Sequence, residues 1–129
     1  MLKKYRFTIL FISWMVFITL LSLFTFKGVG KIASNLQLPH FDKIVHFIFY
    51  FLATILGSFA LCELKSTIKI KKALLYVLGF SIIYGTIIEL FQYSFTEHRQ
   101  GDFFDILANS LGAFVGWLVS KHLISKRIT

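Results

Sequence analysis

Five of the six acidic residues of this 129-residue chain, Asp42, Glu89, Glu97, Asp102 and Asp105, fall in or beside the ends of long apolar segments. A carboxylate near hydrocarbon is costly to keep, so by default it marks a functional site. Glu89 lies about 10 Å inside the end of its segment, counting 1.5 Å per residue from Thr96. Glu89 and Asp105, with His46 as partner, are the candidate catalytic residues, because carboxyl and imidazole groups can exchange protons with a substrate. Lys43 and Arg99 could hold a phosphate or carboxylate, Arg99 through its planar fork. Asp42, Tyr50, Gln92, Asp102 and Asn109 complete a candidate ligand-binding set.

Each of these residues also has a structural role open to it. Glu89 could make an interhelical hydrogen bond or an ion pair with Arg99. Arg99 could neutralise Asp102 and Asp105 across a short connection, Asp102 could cap the following helix, and Asn109 could bond a neighbouring helix. Asp42 and His46 stand one helical turn apart, and Glu89, Asp102 or Asp105 could complete an oxygen-and-nitrogen metal site. No recognised metal motif such as HExxH is present, so no metal is assigned. The minor metal reading uses Asp42, His46 and Asp105. The sequence does not say whether a cofactor is used, and the absence of GxSxG, a Walker loop or paired cysteines leaves a covalent nucleophile without support. His40, His98 and His122 need no special role. With all five carboxyls ionised, Lys43 and Arg99 charged, and His46 and His98 neutral, the local balance is −3. Charge of that size beside a low-dielectric boundary calls for relief by a proton, a cation or a ligand.

The elements that must position these groups are read from composition. The chain is 57% hydrophobic and 18% aromatic, with sixteen Phe and a single Pro, which excludes an ordinary soluble domain. Four stretches suffice to cross a bilayer, which takes about 20 mainly apolar residues. They run over about 7–26, 44–62, 73–95 and 103–120. The expected fold is an all-α integral membrane protein, a single four-helix transmembrane domain with short loops and antiparallel neighbours. The first segment follows a positive Met1-Leu-Lys-Lys-Tyr-Arg start but is too long for a signal-peptide core and lacks a small-x-small cleavage site. It is expected to remain as a helix.

The net charge of +8 reads as topology rather than nucleic-acid binding. Ten of the fourteen basic residues (Lys3, Lys4, Arg6, Lys65, Lys69, Lys71, Lys72, Lys121, Lys126 and Arg127) belong to the two termini and the middle loop. The positive-inside rule then predicts cytoplasmic termini and puts the acidic ends outside. Glu63 is expected in the lysine-rich middle loop, with no special role. The lone Cys62 permits no internal disulfide.

Helical spacing gathers the polar residues into stripes. Asp42, His46, Tyr50, Ala53, Gly57 and Ala60 share one face of the second helix. Ser81, Gly85, Glu89, Gln92 and Thr96 share one of the third, and Asp102, Asp105, Asn109, Gly112, Gly116 and Ser120 one of the fourth. Small residues let helices approach closely in lipid, so these three faces are expected to meet. The first helix, with scattered Ser and Thr, is expected at the periphery.

The motif Asp42-Lys43-x-x-His46-x-x-x-Tyr50, then Tyr84-Gly85-x-x-x-Glu89-x-x-Gln92, then Arg99-x-x-Asp102-x-x-Asp105-x-x-x-Asn109-x-x-Gly112-x-x-x-Gly116 resembles the VanZ-like family. Gln100-Gly101 stand where the family's commonest form has a small residue, often Ser. The resemblance implies a small multi-helix protein of a bacterial cytoplasmic membrane. One family member is linked to low-level resistance to the glycopeptide teicoplanin, which acts outside the cell on a wall precursor.

The resulting expectation is an outward-facing polar pocket that binds a membrane lipid headgroup or a lipid-linked cell-wall precursor. The alternatives are an enzyme acting on such a substrate, by general acid/base or metal-assisted chemistry, and a structural packing module of a membrane complex. The ligand, the reaction and the oligomeric state are not fixed by the sequence.

Overall fold

Four uninterrupted helices account for the structure, a computed structural model that describes residues 3–24, 41–64, 69–95 and 103–128. They are α1 (Arg6–Phe24), α2 (Phe41–Leu64), α3 (Ile70–Phe95) and α4 (Phe103–Ile128), with no strand among the described residues. Each contains a span long and apolar enough to cross a membrane. In hydrocarbon a backbone must satisfy its own hydrogen bonds, and a continuous helix does so within one segment. The sole proline, Pro39, falls between α1 and α2, so nothing in the helices interrupts the ladder.

The helices match the apolar segments, with one substantial difference. α4 continues to Ile128 rather than ending near Ser120. The apolar window closes at Ser120, but Lys121, Leu123, Ile124 and Lys126 all tolerate helical geometry, and cations near a helix C-terminus are favoured by its dipole. Ile124 is buried, so this last stretch still packs on the bundle.

Residue pairings fix the directions. Along α2, Glu63 meets Thr8 of α1 and Phe49 meets Trp14, so α1 and α2 run antiparallel. Thr54 meets Ser81 and His46 approaches Glu89, so α2 and α3 are antiparallel too. Phe47 lies against Gly112 and Phe51 against Gly116, so α2 and α4 run parallel. The start of α1, the end of α2, the start of α3 and the end of α4 therefore share one end of the bundle. That end carries Lys3, Lys4, Arg6, Lys69, Lys71, Lys72, Lys121 and Lys126.

α2 is the central helix, packed most extensively on α4 and also on α1 and α3. The α2–α4 seam is as close as helices allow. A methyl at Gly112 would sit 2.2 Å from the Phe47 carbonyl oxygen, and one at Gly116 would sit 2.6 Å from that of Phe51. The polarity is turned inward: Thr54, Ser58, Ser81 and Ser120 are buried, while Ile12, Val16, Leu75, Ile83, Leu111 and Phe114 face outward. α1 packs on α2 and α3 and does not intervene between α3 and α4. It lies at the periphery, as its sequence suggests, its span the least buried of the four. It is tied in by the fully buried Ile18, by Trp14 Nε1 donating to the Phe49 carbonyl at 2.9 Å, and by a hydrogen bond between Thr19 and the Tyr84 hydroxyl.

Glu63 is placed differently from the expectation. It ends α2 rather than sitting in a loop, and its carboxylate accepts from Phe7 N, Thr8 N and Thr8 Oγ1 at 3.0–3.1 Å. The first amides of a helix lack intrahelical acceptors, and here a side chain from the neighbouring helix supplies them.

Candidate functional site

The three polar stripes converge at the end of the bundle opposite the basic one. His46 of α2, Glu89 of α3, and Asp105 and Asn109 of α4 are all at most 5% exposed. One ligand-type atom from each of His46, Glu89 and Asp105 lies within 4.8 Å of the others. His46 Nδ1 is 3.9 Å from Glu89 Oε2, and Lys43 Nζ is 3.9 Å from Asp105 Oδ1. Both are ion-pair distances rather than tight hydrogen bonds.

A short relay fixes the imidazole. Asn109 Nδ2 donates to the Gly85 carbonyl at 3.3 Å, an oxygen that can only accept. The amide oxygen Oδ1 is therefore the atom 3.0 Å from His46 Nδ1, and Nδ1 must carry the proton. A neutral His46 then has its lone pair on Nε2. The relay depends on Gly85, where a methyl would press within 3.1 Å of both Asn109 and Tyr50 Cε1. The buried Tyr50 ring lies against the same wall, and its hydroxyl is within electrostatic reach of Glu89. That hydroxyl has no hydrogen-bond partner among the described residues.

Lys43 is the rim residue, with 25% of its side chain exposed against 7% for Asp105. Its stem can follow the apolar wall while its ammonium reaches water. Beneath the cluster, Thr54 Oγ1 donates to Ser81 Oγ at 3.0 Å and Ser58 Oγ to the Thr54 carbonyl at 2.7 Å. These bonds close the polar seam with small hydroxyls that carry no charge. Sequence spacing placed Ser81 in this seam but not Thr54 or Ser58, which lie beside the small-residue stripe of α2 rather than on it.

Of the residues singled out by sequence, His46, Tyr50, Glu89, Asp105 and Asn109 are brought together, with Lys43 at their edge. Asp42 and Gln92 lie in α2 and α3, with side chains outside the described set; Arg99 and Asp102 fall outside the described residues. The minor metal set of Asp42, His46 and Asp105 thus has two members in the cluster, and Glu89 joins them as the third.

The fold and the buried cluster define a class: a multi-pass α-helical membrane protein whose ionisable groups are gathered where three helices meet. The VanZ/LLP1 family model matches residues 5–125, and the chain belongs to this family. The match includes α1, which contributes nothing to the motif, so the family unit is the whole bundle. No curated protein and no solved structure matches the chain.

Proposed function

We propose that the polar cluster is a binding site for the headgroup of a membrane lipid or a lipid-linked cell-envelope precursor, reached from outside a bacterial cytoplasmic membrane. The observation that carries this reading is the convergence of His46, Glu89, Asp105 and Asn109 from three helices, with Lys43 partly exposed at their edge. Burying two carboxyls and an imidazole costs several kcal/mol unless partners compensate. Lys43 supplies an anion contact, with Arg99 expected to add a planar one, and the carboxyls and amide receive hydroxyl or amine groups. Glycopeptide susceptibility is the physiological trait by which such a role would show.

A second reading, catalysis on the same ligand, is favoured by the approach of His46 to Glu89. Two proton-exchanging groups side by side are what general acid/base chemistry requires.

Native mass spectrometry of the detergent-purified protein tests the binding. A retained phospholipid or lipid-linked sugar is expected in the wild type, and Glu89→Gln should release it while leaving the helices folded. Equal lipid retention in both would remove the site from the cluster. The orientation is tested by thiol labelling of a C62S/T129C variant in intact cells. An impermeant maleimide should label it only after the membrane is opened, as the basic bundle end is assigned to the cytoplasm. Labelling without permeabilisation would reverse the site's outward assignment.

A further inference from the structure

We propose that His46, Glu89 and Asp105 form a binding site for one divalent transition-metal ion of the Zn²⁺ or Mn²⁺ class. The donor set is one imidazole nitrogen with two carboxylates. That mixture suits borderline and harder first-row cations, whereas a soft metal would call for thiolates. The only cysteine, Cys62, lies towards the far end of α2.

The spacing is close to what a metal needs. Donors bound at about 2.0–2.2 Å around a tetrahedral ion stand roughly 3.4 Å apart. Here one imidazole nitrogen of His46 and one carboxylate oxygen each of Glu89 and Asp105 lie within 4.8 Å of one another. Side-chain rotations would have to bring the donors closer still, with the lone pair on His46 Nε2 turned towards the two carboxylates. A ligand from each of α2, α3 and α4 is also the way bundles build metal centres, from inward-facing side chains on separate helices.

Two further features point to a metal rather than to an ion-pair network. The first is the relay from Gly85 through Asn109 to His46 Nδ1. A metal-binding histidine typically donates its other N–H to an oxygen acceptor, which fixes the tautomer and leaves a lone pair for the ion. The second is Tyr50. Its hydroxyl is 1% exposed as a residue, lies within reach of Glu89 and has no hydrogen-bond partner among the described residues. A water on the ion's open coordination position would provide one. The assignment stands independently of the headgroup reading, because it uses only protein donors.

The test uses the full chain purified in detergent through a tag free of histidine, stripped with chelator and titrated with Co²⁺ as a spectroscopic probe. The wild type should take up one equivalent, with visible d–d bands, and one equivalent of Zn²⁺ or Mn²⁺ should displace it. H46Q, E89Q and D105N should each weaken uptake at least tenfold, while H122A, at an exposed histidine of the basic end, should leave it unchanged. Zn²⁺ should raise the wild-type thermal midpoint and leave that of E89Q unmoved. This readout guards against misfolding, since a folded E89Q that binds as tightly as wild type overturns the proposal. So does an absence of saturable uptake by the wild type, or uptake abolished by H122A. Lipid retention, measured on the same stripped sample, reports separately on the headgroup reading.

Discussion

Glu63 and Glu89 show how differently one side chain can be used at the two ends of a bundle. Glu63, half-buried at the basic end, accepts three hydrogen bonds of 3.0–3.1 Å from the start of α1. Its charge meets the positive end of a helix dipole, and its acceptor capacity is spent on backbone. Glu89 is almost fully buried, with a histidine nitrogen 3.9 Å from its carboxyl. A carboxylate that caps a helix is committed to the fold. One held beside an imidazole and a second carboxylate is turned to other ionisable side chains instead. The first end directs its carboxylate to backbone, the second to side chains.

The largest expected effect falls at the second end. Gly112 packs on Phe47, beside the cluster where α4 meets α2, and the clash there would be with backbone rather than with a side chain that could turn away. Gly112→Ala should cost about 3 kcal/mol or more, at the top of the range for overpacking. Thermal unfolding in detergent should show a midpoint lowered by many degrees or no folded peak at all. The corresponding change at Gly57 meets Val77 and Phe11 side chains at 2.9–3.0 Å and should be milder. If Gly112→Ala folds as well as wild type, the α2–α4 seam is looser than its geometry, and the cluster it positions loses its frame.

Much of this was legible in the sequence because lipid forces polar groups to declare themselves. In a chain this apolar, Ser81, Gly85 and Glu89 at steps of four can only be an inward stripe, and Gly112 and Gly116 announce a close seam. The convergence of His46, Glu89, Asp105 and Asn109 followed from the same logic: stripes with ionisable ends on three helices bury them by meeting. What escaped was set by contacts between distant segments. Nothing local tells that Glu63 will reach back to Phe7 and Thr8, because a glutamate followed by Lys65 looks like any interfacial loop. The last two turns of α4 escaped for a different reason: hydropathy reports where lipid ends, whereas a helix ends only where its backbone does. The Gly85–Asn109–His46 relay was half visible, since Asn109 was an obvious interhelical donor, but its acceptor is a carbonyl, which no sequence pattern marks.

The smallest expected effect is the sharpest test of the comparison. Glu63→Ala removes acceptors for two backbone amides and one hydroxyl at the start of α1. Loss of an N-terminal cap typically costs about 1 kcal/mol. Water can reach this partly exposed end and replace some of the lost bonds, so the cost should not exceed that value. The thermal midpoint should fall by a few degrees, with α1 fraying first, and hydrogen exchange at Phe7 and Thr8 should accelerate while that of α3 stays unchanged. Lipid and Co²⁺ binding at the far cluster should be untouched, since α1 supplies none of its ligands. Glu89→Gln should give the opposite pattern, with folding kept and binding lost. If Glu63→Ala also weakened binding at His46, Glu89 and Asp105, then the docking of α1 onto α2 would set the geometry of the cluster. The two ends would then have to be understood as one coupled unit, with Trp14 at the Phe49 carbonyl and Thr19 at Tyr84 as the contacts that carry the coupling.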